Sequence, residues 1–235
     1  LFHKMSANSN KILVVAAHPD DEIIGCGGTI VKHIKNNDKV QIVFMSDGES
    51  SRYLKKNKYS KNKIIERKKA AIKVTDYLKI QKPIFLNLKD NEMDKYSILS
   101  ITKKIEKIIK QLKPNIIYTH FYHDLNIDHQ ITNKCVMTAA RPYIFQFIKK
   151  ILAFEINSST NLNPDISNRF NPTFFNNISK HVNTKKLLLK FYKNELRPDP
   201  HPRSIENILN RNKTRGSEIH YDFAEAFVVL RIISE

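Results

Sequence analysis

Residues 17–22 read Ala-His-Pro-Asp-Asp-Glu, which places one imidazole, His18, and three carboxylates, Asp20, Asp21 and Glu22, side by side. A zinc ion in a hydrolytic site takes three protein ligands, imidazole and carboxylate mixed, and keeps one position open for water. A carboxylate left over from that set can serve as general base towards the water, whose pKa the metal brings down to about 7. Asp128-His129, far along the chain, can supply a second imidazole. Two other uses compete with this one. The turn Gly25-Cys26-Gly27-Gly28 could cradle a phosphate, yet it lacks the G-x-G-x-x-G spacing, and three neighbouring carboxylates repel an anion. Asp20 or Asp21 could also do no more than cap a helix. Taken together, the residues favour metal-assisted hydrolysis.

Positioning such residues requires elements that end at one place. The β-branched run 11–17 has the pattern of a buried strand, and further strands are expected at 40–45, 84–88, 115–118 and 151–156. Helical spacing appears at 28–35, 61–78, 97–112, 128–140, 184–196 and 204–215, with an Asn/Pro-rich loop over 157–177. Strands alternating with helices point to βαβ units and a mainly parallel sheet, an α/β fold of three αβα layers, Rossmann-like in its arrangement. In such sheets ligands bind beyond the carboxyl ends of the strands. His18, Asp20 and Asp21 follow the first expected strand, Asp47 the second and Asp90 the third, while His120, His123, Asp124, Asp128 and His129 follow the fourth. The site is therefore expected at the C-terminal strand ends.

The chain has 235 residues, 40 Lys+Arg against 23 Asp+Glu, and a formal charge of +17. That length suits a single domain, expected over 11–235, with 1–10 as an N-terminal extension whose first residues are compatible with a vector-derived remnant. No apolar run is long enough to span a membrane, and residues 1–10 lack the apolar core of a secretory signal. Two cysteines without C-x-x-C spacing argue against a disulfide scaffold and for a cytoplasmic protein. The charge invites a nucleic-acid partner, most of all at the lysine-rich block 55–69, but that block has no aromatic platform for bases. Lys, Asn and Ile are abundant together, as AT-rich coding produces. The excess lysine reads as solvated surface, and no nucleic-acid partner is expected.

The run Ala-His-Pro-Asp-Asp-Glu (17–22) followed by Gly-Cys-Gly-Gly-Thr (25–29) resembles the opening motif of the LmbE/PIG-L-like zinc-dependent N-deacetylases. Further matches follow in the family's order: Ser-Asp-Gly-Glu-Ser-Ser-Arg (46–52), Phe-Leu-Asn-Leu-Lys-Asp-Asn (85–91), His-Asp-Leu-Asn-Ile-Asp-His (123–129), Ala-Ala-Arg-Pro (139–142), Phe-Glu-Ile-Asn-Ser-Ser-Thr (154–160), His-Pro-Arg-Ser (201–204) and Ala-Glu-Ala-Phe (224–227). The resemblance spans residues 11–231.

What it implies is one zinc per chain held by His18, Asp21 and His129, with Asp20 as general base, though iron or another divalent ion fits the same donors. The substrate implied is an N-acetylated amino sugar, an N-acetylglucosamine-type unit of a glycoconjugate or of a nucleotide- or lipid-linked sugar. Asp128 is implied as an orienting residue. Many relatives carry a second His where this chain has Asn126, and that His helps stabilise the oxyanion. An amide donates a hydrogen bond but carries no charge, so His123, His201 or the Asn126 amide itself is left to cover the role. Arg52, Asp90, His201 and Arg203 are expected to contact substrate, and the basic balance suits an anionic one. The departure at Asn126 also motivates an alternative, a catalytically impaired sugar-binding or accessory protein on the same fold. An oligomer is compatible with all of this.

Overall fold

The computed structural model describes residues 9–53 and 58–234. Residues 1–8, most of the expected N-terminal extension, and 55–57 of the lysine-rich block lie outside the described residues. Strand β1 (Lys11–Ala16) shows how the layers arise. Alternate side chains of a strand point to opposite faces. Ile12, Val14 and Ala16 enter one buried cluster, while Leu13, Val15 and the following Ala17 enter another. With both faces covered, the strand is apolar from Ile12 onward, which is why 11–17 reads as a nearly continuous run rather than an alternation.

The first cluster is closed by α1 (Asp21–Lys35), α2 (Lys58–Leu78), α5 (Val182–Phe191) and α6 (Ile205–Ser217). The second is closed by α3 (Ile98–Leu112) and α4 (Ile127–Ala139). Between them, β2 (Lys39–Ser46), β3 (Ile84–Leu88), β4 (Ile116–His120) and β5 (Lys150–Phe154) join β1 in parallel. Two further strands, β6 (Phe174–Asn177) and β7 (Ala224–Ile232), add antiparallel pairs, and the seven-stranded order is β3-β2-β1-β4-β5-β7-β6. The fold is the expected three-layer α/β arrangement. The strand order reverses between β1 and β4, so the crevice beyond those two ends is the switch point where α/β sheets bind ligands.

Two departures from the sequence reading have physical causes. The first helix begins at Asp21, not at 28, and bends at Cys26, whose φ of −146° and ψ of 25° are not helical. Beyond the bend the freed N–H groups of Gly28 and Thr29 donate to the Glu225 carboxylate of β7 at 2.8 and 2.6 Å. The buried Lys185 ammonium pairs with Glu225 at 2.7 Å. Helical spacing from 28 onward is thus the second limb of a broken helix, and its glycine-rich first limb is held by packing rather than propensity. A Cβ on Gly25 would lie 2.4 Å from the Phe154 ring, so the first limb is seated directly on the sheet. The second departure is β6 and β7, which the sequence reading did not assign. Residues 174–177 fall in the Asn/Pro-rich stretch, where Asn has low strand propensity, and they become a strand only by pairing with β7. Among the described residues, no helix is long and apolar enough to cross a membrane.

Candidate metal centre and active site

The end of β1 and the N-terminus of α4 face each other across the switch point, and this brings three donor atoms together. His18 Nδ1 lies 3.1 Å from Asp21 Oδ2, His129 Nε2 lies 3.3 Å from the same oxygen, and the two ring nitrogens are 3.3 Å apart. Three ligands at the bond lengths of tetrahedral zinc stand about 3.3 Å from one another, so the donors fit such an ion. All three residues are buried. The second carboxylate oxygen of Asp21, Oδ1, is buried without a hydrogen-bond partner, as expected of a group meant to meet a cation. Five buried carboxylates, those of Asp20, Asp21, Asp90, Asp124 and Asp128, crowd this place, and a bound cation would balance them.

Behind these three residues sits a further set of carboxylates. His18 Nε2 meets Asp128 Oδ2 and Asp90 Oδ1, each at 3.1 Å, and His129 Nδ1 meets Asp124 Oδ1 at 3.1 Å. A carboxylate on the far nitrogen of a metal-binding imidazole fixes its orientation and raises its basicity. Asp128 is itself fixed by the N–H groups of Asn91 (2.7 Å) and Met93 (3.2 Å), and Asp124 by the hydroxyls of Thr160 and Ser159. Burial alone lowers the pKa of His18, but hydrogen bonds to Asp128, Asp21 and Asp90 outweigh it and hold it well above the ordinary value. Burial likewise opposes a charged His129, and Asp21 and Asp124 push its pKa up to about 9. For Asp21, burial is overcome by the two imidazoles, and its carboxyl stays well below the usual carboxylate range.

Asp20 stands apart from this set. It precedes the first residue of α1, yet its side chain makes no capping bond. Its backbone is at φ 133°, a conformation L residues rarely adopt. Its oxygens instead face two guanidinium groups, Oδ1 with Arg67 Nη2 at 2.9 Å and Oδ2 with Arg203 Nη1 at 3.2 Å. Burial raises its pKa, and the two arginines offset this only in part. Arg67 also donates to the carbonyls of Pro19 and Gly48 and pairs with Glu195 at 3.0 Å. Arg67 and Glu195 are not among the residues expected from sequence. Arg67 belongs to the lysine-rich stretch read as surface, where nothing local separates it from its solvated neighbours.

Glu49 and Glu195 act on each other through a hydrogen bond, and the pull towards a proton is stronger at Glu49. Burial and Glu195 raise its pKa to about 7 against the pull of Arg52 and Arg67, whereas the arginines overcome burial at Glu195 and lower it. A carboxyl with a raised folded pKa stabilises most fully at low pH, and its contribution declines as pH rises from its unfolded value, near 4.5, to about 7. Between pH 5 and 8 the melting temperature of the wild type is therefore expected to fall relative to that of Glu49→Gln, which cannot ionise. Parallel melting curves across that range would show that the Glu49 pKa is not raised.

The other expected site residues fall in different places. Asn126 caps α4, its Oδ1 accepting from the N–H groups of Asp128 (2.8 Å) and His129 (3.4 Å) while its Nδ2 donates to Asn91 Oδ1 at 3.1 Å. His123 is half-buried with its ring against Phe121 and Tyr122. His201 is exposed, and its Nδ1 accepts the N–H of Arg203 at 3.0 Å. Arg52 forms a two-point pair with Glu195 at 2.7 and 3.2 Å. Asp90, besides meeting His18, accepts from the Ser51 hydroxyl. Asp47 accepts from the N–H groups of Glu49 and Ser50 and shapes the turn after β2. His120 stacks on His129 with ring centroids 3.9 Å apart, and burial drives its pKa well below the ordinary value, so it packs as a neutral ring.

A family model described as GlcNAc-PI de-N-acetylase, PIG-L, matches residues 13–140, the stretch that carries His18, Asp21 and His129 of the candidate metal centre. The chain belongs to the PIG-L family. Among curated relatives, this PIG-L chain is 30% identical over 132 residues to a probable N-acetyl-alpha-D-glucosaminyl L-malate deacetylase 2 of Bacillus cereus, covering 54% of this chain and 60% of that protein. The first two curated relatives are each matched over 60% of their length. Among solved structures, the N,N'-diacetylchitobiose deacetylase of Pyrococcus horikoshii superposes with a TM-score of 0.77 at 19% identity, over 95% of this chain and 85% of that one. The 4-carboxy-2-hydroxymuconate hydratase GalB of Pseudomonas putida superposes with a TM-score of 0.74 at 18% identity, over 96% and 99%. These PIG-L-like architectures carry different names for their reactions, so the fold alone does not choose the chemistry.

Proposed function

We propose that the protein is a zinc-dependent hydrolase that removes the acetyl group from an N-acetylated amino sugar. The observation that carries this reading is the trio of converging donors on His18, Asp21 and His129 with a separate buried carboxylate, Asp20, beside them. Family membership supports it. A zinc ion held there supplies a Lewis acid for the amide carbonyl and lowers the pKa of water.

The chain's own residues do the rest. Asp20 takes a proton from the attacking water as the C–O bond is made, then returns it to the amine nitrogen, and the amide C–N bond breaks as that nitrogen is protonated. Arg67 and Arg203 hold the Asp20 carboxylate in place. Asp128, Asp90 and Asp124 orient the ligand imidazoles. In this reading Asp90 serves His18 more than the sugar, while Arg52, with a side chain 38% exposed, the exposed His201 and the partly exposed Arg203 are open to substrate. Arg52, Arg67 and Arg203 all meet carboxylates within the protein, which favours a neutral sugar over an anionic one.

The test is acetate release from a panel of N-acetylglucosamine-type sugars by zinc-loaded protein, before and after chelation. Release that disappears on chelation and returns with metal is the expected result. A loaded protein that binds such a sugar but frees no acetate would instead be the accessory protein that position 126 suggests.

A further inference from the structure

We propose that Arg203 is a catalytic residue, its guanidinium stabilising the negative charge that develops on the amide carbonyl oxygen. This rests on the deacetylase reading above. The need arises at position 126. The Asn126 oxygen accepts from two backbone N–H groups of α4 and one of its two amide N–H groups donates to Asn91, so the side chain is anchored at the helix end and carries no charge. The His123 ring lies against Phe121 and Tyr122, and His201 Nδ1 is taken by a backbone N–H.

Arg203 is placed where the charge forms. Its Nη1 is 3.2 Å from Asp20 Oδ2, the oxygen-bearing edge of the proposed base. The water that Asp20 deprotonates attacks the amide carbon, and the carbonyl oxygen is separated from the attacking oxygen by that one carbon. A cation against the base is therefore within reach of it. Two guanidiniums touch Asp20, but the Arg67 side chain is 4% exposed and committed to two carbonyls and Glu195, whereas that of Arg203 is 20% exposed. A guanidinium has five N–H donors. In Arg203 Nε meets Ser158 Oγ at 2.9 Å, and Nη1 meets Asp20 and lies 3.9 Å from Glu195 Oε2, so the Nη2 donors remain for a ligand. The position is built rather than incidental. Ser204 caps α6 immediately after Arg203 with a bond to Asn207 N–H at 3.0 Å, and the Arg203 carbonyl accepts from Arg197 N–H. During the reaction the carbonyl π electrons move onto oxygen as the C–O bond forms and return as the C–N bond breaks. Arg203 stays protonated throughout.

A donor aimed at such an oxygen contributes about 10²–10³ in kcat. Arg203→Met is expected to lose that much turnover with KM within a few-fold. A second readout is calorimetric binding to zinc-loaded protein of a methylphosphonamide of glucosamine, which mimics the tetrahedral species, and of glucosamine itself. The phosphonamide is expected to weaken by a similar factor in Arg203→Met, with glucosamine unchanged, and the loss is expected to persist when Asp20→Asn is the background. Arg203→Lys, which keeps the charge, is expected to recover part of it. If the loss vanishes in the Asp20→Asn background, Arg203 only orients the base, and the proposal is overturned. Equal weakening of glucosamine overturns it too, since the contact would then be with the ground state. Failure of the parent reading shows separately, as wild-type protein that frees no acetate.

Discussion

Asp20→Asn is expected to lower turnover by about 10²–10⁴-fold, the range lost with a positioned general base, while the bound zinc stays at the wild-type level. The expectation follows from the separation of two carboxylates that are neighbours in sequence. Asp21 turns towards His18 and His129, with its Oδ2 within 3.3 Å of a nitrogen on each. Asp20 turns away, to Arg67 and Arg203. The residue holds φ 133° without gaining a helix cap, and strain of that kind persists only where surrounding contacts enforce it. An amide at position 20 keeps the size and a hydrogen bond to a guanidinium but cannot accept the proton of water. Acetate release and elemental analysis on the same preparation check both halves. Full turnover in the variant removes Asp20 as the base, and loss of zinc makes it a ligand.

Arg67→Met is expected to destabilise the protein by about 3–5 kcal/mol, as when one partner of a buried ionic cluster is removed. The guanidinium is 4% exposed and faces Asp20 at 2.9 Å, Glu195 at 3.0 Å and Glu49 at 3.6 Å. It also satisfies two backbone carbonyls that open the turns after β1 and β2. Methionine fills much of the volume but leaves those oxygens buried with less compensation. Urea denaturation monitored by circular dichroism measures the change. A loss below about 1 kcal/mol, the range of exposed pairs, would mean that water reaches the cluster freely.

The parts of the site legible in sequence are those with short spacing. His18 and Asp21 are three residues apart, so a single turn at the end of β1 brings both to one place. Asp128 and His129 sit at the start of a helix, and His129 reaches Asp21 of the candidate metal centre directly while Asp128 reaches it through His18. Inner strands such as β1 and β5 were readable because a strand buried on both faces is a nearly continuous apolar run. Strand β3, at the sheet edge and only half-buried, was readable from its Ile-Phe-Leu run after Pro83. The edge strand β6 was not, since its Phe-Phe-Asn-Asn becomes a strand only against β7.

The sequence by itself determined which donor types gather at the strand ends, and through the order of elements it determined which crevice they share. Tertiary structure alone decided their division of labour. Arg67 and Arg203 lie 47 and 183 residues from Asp20, and Glu195 lies 143 from Arg52. Pairings at such separations leave no periodicity or local spacing to read. Whether a given arginine is solvated or buried depends on which carboxylates the fold brings beside it. Within a chain of +17, that electrostatic match drew Arg67 from the lysine-rich stretch into the site and left its lysine neighbours at the surface.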